Sequence, residues 1–432
     1  VSDVWQIYGD NVGGLVGYNE YGTGTRADQT KTNITSIVVG HNNVGGVFGM
    51  AGTETTFDFK HYTLDGGEVY ASGDHVGGYI GVNLSAEALP SAADYLAKPY
   101  EVKPYSVRGR YAVGGAVGAN VILQKQAENV QVLFSNANAF GTVYGANAVG
   151  GIIGYQRKVV LKGTSYDTVY PELTERLPSD GMDSVFASVR PADAADRTSI
   201  DGYETIWMTD VTAGAYAASG RTTITGDNAA TVIAGSYGGG ILGYGCGYDN
   251  ILVKDCTNSG DVSDWQASGV TGGELIGGSV AISDLYEKYV VSGQEHARPI
   301  LDEAAYPYAF MKQALGATAQ TEPIGSFVGG IQGFVPEHTT ISGCKQTGMI
   351  YAQNGFGGIA GVNLGTLKNC TVETNLGTQD SSLVGGIAAL NGAVADVRSC
   401  MVGTTDSDYT IEGKNIVGGL FAVNGAQTVS AA

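Results

Sequence analysis

Between recurring glycine pairs the chain favours Val, Ile, Thr and Tyr, and Gly, Asn or Asp punctuates it every six to ten residues. That is the pattern of short strands closed by turns. Helical spacing of apolar positions is absent from these stretches. One string returns eleven times as Val-Gly-Gly-x-x-Gly or a near variant: at Val12, Val44, Val76, Val113, Val149, Gly239, Gly272, Val328, Gly357, Val384 and Val417. From Gly13 the paired glycines step by 32, 32, 37, 36, 89, 33, 57, 28, 28 and 33 residues. A fixed period of this size is the mark of a repeat array. A unit of about thirty residues holding about three short strands predicts one turn of a parallel β-helix, each turn pairing its backbone with its neighbours at about 4.8 Å.

The letters of the motif have physical reasons. The apolar pair after the glycines, such as Val47-Phe48, Ile152-Ile153 and Ile241-Leu242, marks a strand entering the core. Glycine beside it predicts positive φ or a close backbone approach. Five residues past the second glycine an Asn recurs at Asn19, Asn83, Asn120, Asn363, Asn391 and Asn424, where an amide can pair with the same amide one turn away. Cys256, Cys344, Cys370 and Cys400 also share one repeat position, in the contexts Asp-Cys, Gly-Cys, Asn-Cys and Ser-Cys. They are expected to stack inside as small apolar groups. The fifth cysteine, Cys246, is free or reaches Cys256, and an odd count without Cys-x-x-Cys predicts neither a disulfide framework nor a zinc site.

The strings Asn11-Val-Gly-Gly-Leu-Val-Gly-Tyr-Asn19, Gly357-Gly-Ile-Ala-Gly-Val-Asn363 and Gly365-Thr-Leu-Lys-Asn-Cys370 resemble the GLUG-type repeat of bacterial surface proteins. The resemblance covers nearly all turns but not the insertions. It implies a β-solenoid in a secreted adhesin or in the stalk of a wall-anchored protein, and it carries no catalytic residues. The motif at Gly272 departs from the pattern by adding Glu274 before its apolar pair.

The expected fold is therefore all-β: one right-handed parallel β-helix of about eleven coils over residues 1–432, about 50 Å long at strand spacing. Three irregular segments interrupt it, at 84–110, 156–230 and 281–323. The first contains short helix-compatible pieces between prolines, and the third contains a helical pattern from Ile300 to Leu315. Such loops on a rigid frame either shield it or bind, and Tyr286, Tyr289, Tyr306 and Tyr308 suit contacts. Both ends read as cuts through a longer repeat array or as faces that stack on other copies.

Charge narrows the partners. With 42 acidic and 23 basic residues the formal charge is −19, which repels nucleic acid and anionic membranes. No apolar run is long enough for a membrane span. Parallel β-helices also host polysaccharide lyases and hydrolases, whose carboxylates line a groove. The best candidates, Asp193, Asp196, Asp201 and Glu204, have ordinary surface surroundings in the second segment. His41, His61, His75, His296 and His338 lack ligand spacing, and the acidic turn Asp180-Gly-Met-Asp183 is at most a weak calcium candidate, since no Asp-x-Asp-x-Asp-Gly loop appears. No catalytic, cofactor or metal residue is assigned. The expectation is a non-catalytic extracellular scaffold at a bacterial cell surface, presenting its insertions to a host glycan, a protein or further copies of itself. A filament subunit and a β-helix lyase or hydrolase are the alternatives.

Overall fold

The structure is a computed structural model. It describes residues 5–6, 11–23, 32–34, 37–57, 62–64, 66–71, 73–88, 105–124, 129–135, 140–160, 220–245, 249–264, 286–291, 294–299, 326–392, 394–404, 407 and 409–425. Among these the chain is all-β, with no helix. Three large sheets of parallel strands make up the body, an arrangement compatible with a parallel β-helix.

The first sheet follows the valine of the motif. Val12, Val44, Val76, Val113 and Val149 pair in sequence, and Gly13, Gly45, Gly77, Gly114, Gly150, Gly239, Gly329, Gly357, Gly385 and Gly418 make one continuous column. The second sheet has ten strands, each starting just after a glycine pair, from Val16–Thr23 to Phe421–Asn424. Ten motif copies are thus in register. The copy at Gly272–Gly277 lies outside the described residues, and the column passes directly from Gly239 to Gly329.

Alternation places the β-branched residues inward. Val38, Val69, Val107, Val143, Val232, Val262 and Ile350 share one column of the first sheet. Across the core the third sheet contributes Val132, Ile224, Val253, Ile341 and Leu367, again in one column. All of these are buried in a single hydrophobic core. Each contributes about 1.5–3 kcal/mol by leaving water.

Positive φ is not what the glycine pair supplies. The left-handed residue lies one position before the motif's valine and is rarely glycine: Asn11, Asn43, His75, Ala112, Ala148, Tyr237, Phe327, Leu383 and Ile416 have φ between 51° and 60°. The surrounding ladder holds this strain in place on every such rung. The glycines are needed for contact instead. A Cβ on Gly151, Gly240, Gly330, Gly358 or Gly386 would overlap the carbonyl oxygen of the equivalent glycine on the next rung. A second left-handed corner, at Asp255, Gly343, Asn369 and Ser399, stands directly before each stacked cysteine.

The irregular segments are partly strand. Tyr105–Gly114 runs in the first sheet, so residues 105–110 of the segment drawn at 84–110 belong to the stack. Ile153–Val160 and Arg221–Asn228 likewise enter the segment drawn at 156–230 from both sides. Within 281–323, Tyr286–Val291 and Gln294–Pro299 pair as an antiparallel hairpin. The helical pattern at 300–315 lies outside the described residues.

Candidate binding face

The buried polar positions fall into columns. In the second sheet Asn83 Nδ2 donates to Asn120 Oδ1 at 2.8 Å and Asn120 Nδ2 to Gln156 Oε1 at 2.7 Å. The ladder resumes from Asn363 to Asn391 at 2.9 Å and from Asn391 to Asn424 at 2.8 Å. Between these stretches its column is held by Gly245 and Val335, and below them by Ala51. The third sheet carries an amide ladder the sequence did not mark: Asn228 to Asn258 at 2.7 Å and Asn258 to Gln346 at 2.9 Å. Each of these amides also donates to a backbone carbonyl two residues on, at Ala230, Gly260 and Gly348. Buried amides satisfied on both sides lock the register of neighbouring rungs.

The cysteines stack as expected. Cys256, Cys344 and Cys370 are buried in the core, and Cys400 is half-buried beside it. Each thiol lies near backbone carbonyls, as Cys344 Sγ does to Ser342 at 3.5 Å and to Val253 at 3.6 Å. Burial holds the Cys344 thiol well above its usual range, and the neighbouring Cys344 thiol pushes Cys370 up to about 12. Contact with Cys370, then burial, raises Cys400 as well. Thiols kept protonated are poor nucleophiles and poor metal ligands. In the native protein at pH 8, mass-spectrometric mapping after iodoacetamide should find Cys256, Cys344 and Cys370 unmodified and Cys400 modified slowly. Rapid labelling of Cys344 without denaturant would contradict this stack.

Two arginines on one strand are treated differently. Arg110 makes a two-pronged ion pair with Asp74, at 2.7 Å and 2.8 Å. Asn42 Oδ1 accepts from the Asp74 backbone N–H at 2.9 Å, fixing the acid in turn. Beside it Asn43 Nδ2 donates to Asn11 Oδ1 at 2.8 Å, and the Nδ1 of buried His75 lies 2.8 Å from Asn43 Oδ1. His75 is thus a turn residue, as its place before Val76 predicts.

Arg108, two residues earlier, pairs with no acid among the described residues. It lies on the outer face of the first sheet, in register with Tyr70 on one side and Tyr144 on the other. Its guanidinium carbon is 5.1 Å from the centre of one ring and 4.9 Å from the other. Its Nε is closed off from solvent without a hydrogen-bond partner. Tyr70 in turn donates to Glu68 Oε2 at 2.6 Å. Burial, then this bond, pushes the Tyr70 hydroxyl up to about 12. The face therefore joins a fixed cation, two phenols and one carboxylate.

The other sequence candidates do not converge here. Asp193, Asp196, Asp201, Glu204, His61, Cys246, Tyr306, Tyr308 and the 180–183 turn lie outside the described residues. His41 Nδ1 meets Asn42 Nδ2 at 2.9 Å, and His338 is exposed on a distant turn. Among the described residues no group of three or more His, Cys, Asp or Glu is placed to hold a metal ion. None of their helices is long and apolar enough to cross a membrane, since they contain no helix.

The class these observations define is an all-β protein of stacked parallel sheets with recurring side-chain ladders. Compared with family models, curated proteins and solved structures, the chain finds no match.

Proposed function

We propose that this chain is a non-catalytic extracellular scaffold of a bacterial cell surface, structural and adhesive, built as a right-handed β-solenoid of the GLUG-repeat kind. The observation that supports this reading is the column of paired glycines, kept in register over ten motif copies from Gly13 to Gly418. Around it the chain's repeated residues serve stacking: valines, amides, thiols and glycines each recur for contact with the rung above and below. A rigid rod whose backbone groups pair along its length suits a stalk that holds a binding face away from a surface. The acidic surface keeps such rods apart and soluble. The test is location: antibody labelling of intact producing cells should decorate their exterior, and external protease should release the antigen. Antigen confined to the cytosol would reject the reading.

A further inference from the structure

We propose that Tyr70, Arg108 and Tyr144 form a subsite for a carboxylate-bearing sugar of an acidic polysaccharide, with Glu68 accepting from that sugar's hydroxyl groups. The inference rests on the reading of the chain as an adhesive scaffold and names the chemical class it would hold.

The argument starts from the contrast on one strand. Arg110 is neutralised by Asp74, while no acidic side chain among the described residues pairs with Arg108. This is notable in a chain with a formal charge of −19, where carboxylates outnumber cations 42 to 23. The guanidinium is nevertheless immobilised, held between two rings at 5.1 Å and 4.9 Å. Ring stacking removes side-chain freedom without consuming the N–H donors, so little ordering entropy remains to be lost when an anion arrives. A planar guanidinium matches a carboxylate through two parallel hydrogen bonds.

Glu68 narrows the choice of anion. Its carboxylate, bonded to the Tyr70 hydroxyl, faces the same surface and repels a densely charged group such as phosphate. It accepts well from hydroxyls. A ligand with a single negative charge and several hydroxyls satisfies both residues, and a uronic acid has that composition. Tyr70 and Tyr144 are separated by two strand spacings, about 10 Å. That length suits a stretch of sugar chain lying along the stack better than a lone small anion. Val39, half-buried beside Tyr70, continues the same outward column with apolar surface, while Ile233 beyond Tyr144 is buried.

The test uses the full chain and a galacturonic acid hexamer, titrated by calorimetry at low salt. A neutral glucose hexamer and a polyglutamate peptide serve as comparisons. Wild type should bind the uronate hexamer and not the neutral one, and added salt should weaken binding. Arg108→Gln should weaken it at least tenfold while melting within a few degrees of wild type. Arg108→Lys keeps the charge but not the fork, and should still lose severalfold, which guards against a folding defect in the first variant. Absence of wild-type binding, or equal binding by both variants, overturns the inference. Equally tight binding of polyglutamate also overturns it, by assigning the face to peptide carboxylates. A surface-located protein that binds no uronate rejects this inference alone; uronate binding by a cytosolic protein rejects the scaffold reading alone.

Discussion

Replacing Gly358 by alanine should destabilise the protein by about 3 kcal/mol, the upper part of the range for overpacking a tight interior. A Cβ there would overlap the Gly386 carbonyl oxygen and come within 2.6 Å and 2.9 Å of the two methyl groups of Val372. The first obstacle is backbone held by the ladder, and the second is a β-branched side chain with few rotamers. Neither can yield without moving a whole rung. The matched control is Gly419→Ala, the same motif position on the last described rung, where a Cβ would meet nothing within 4 Å. That variant should stay within about 0.5 kcal/mol of wild type. Denaturant midpoints compare the two directly. Equal stabilities would mean that the second glycine is not required by rung-to-rung contact.

Asn258→Ala should cost about 3 kcal/mol or more, from a buried donor and acceptor losing their partners together. Asn258 is fully buried and sits in the middle of its ladder, accepting from Asn228 and donating to Gln346 and the Gly260 carbonyl. Its removal strands one amide N–H of Asn228 and the Oε1 of Gln346 where water does not reach. Asn258→Gln, which keeps the chemistry but adds a methylene, should recover part of the loss. Local hydrogen exchange around 228–230 and 346–348 should rise in the alanine variant. Unchanged protection there would show that the register is held by the valine columns alone.

These two sites illustrate what a sequence displays and what it hides. The glycine pair was legible because the same letter is required on every rung by the same carbonyl above it. The Asn column of the second sheet and the cysteine column were legible for a like reason: one letter, one offset. The third-sheet ladder was not, because it occupies only three rungs, mixes Asn with Gln, and has a long stretch of chain between Asn258 and Gln346. The left-handed corner before each valine was hidden differently. Its backbone is constant, but Asn, His, Ala, Tyr, Phe, Leu and Ile all occupy it, so no letter reports it, and of the two reasons expected for the neighbouring glycines only the close backbone approach applies. The Tyr70–Arg108–Tyr144 face escaped notice because Tyr70 precedes its valine by six residues and the other two by five. Only the paired strands bring the three together.

The amide ladders have a direction. In the second and third sheets Asn83 donates to Asn120, Asn120 to Gln156, Asn228 to Asn258, Asn258 to Gln346, Asn363 to Asn391 and Asn391 to Asn424, each from the earlier rung to the later, whereas at the corner of the first sheet Asn43 donates back to Asn11. The ladders of these two sheets are therefore polarised: their side-chain donors look toward one pole and their acceptors toward the other. Two such rods meeting by like poles would oppose donor to donor or acceptor to acceptor. Any lengthening that preserves these ladders must be vectorial, each added unit facing the same way as the last.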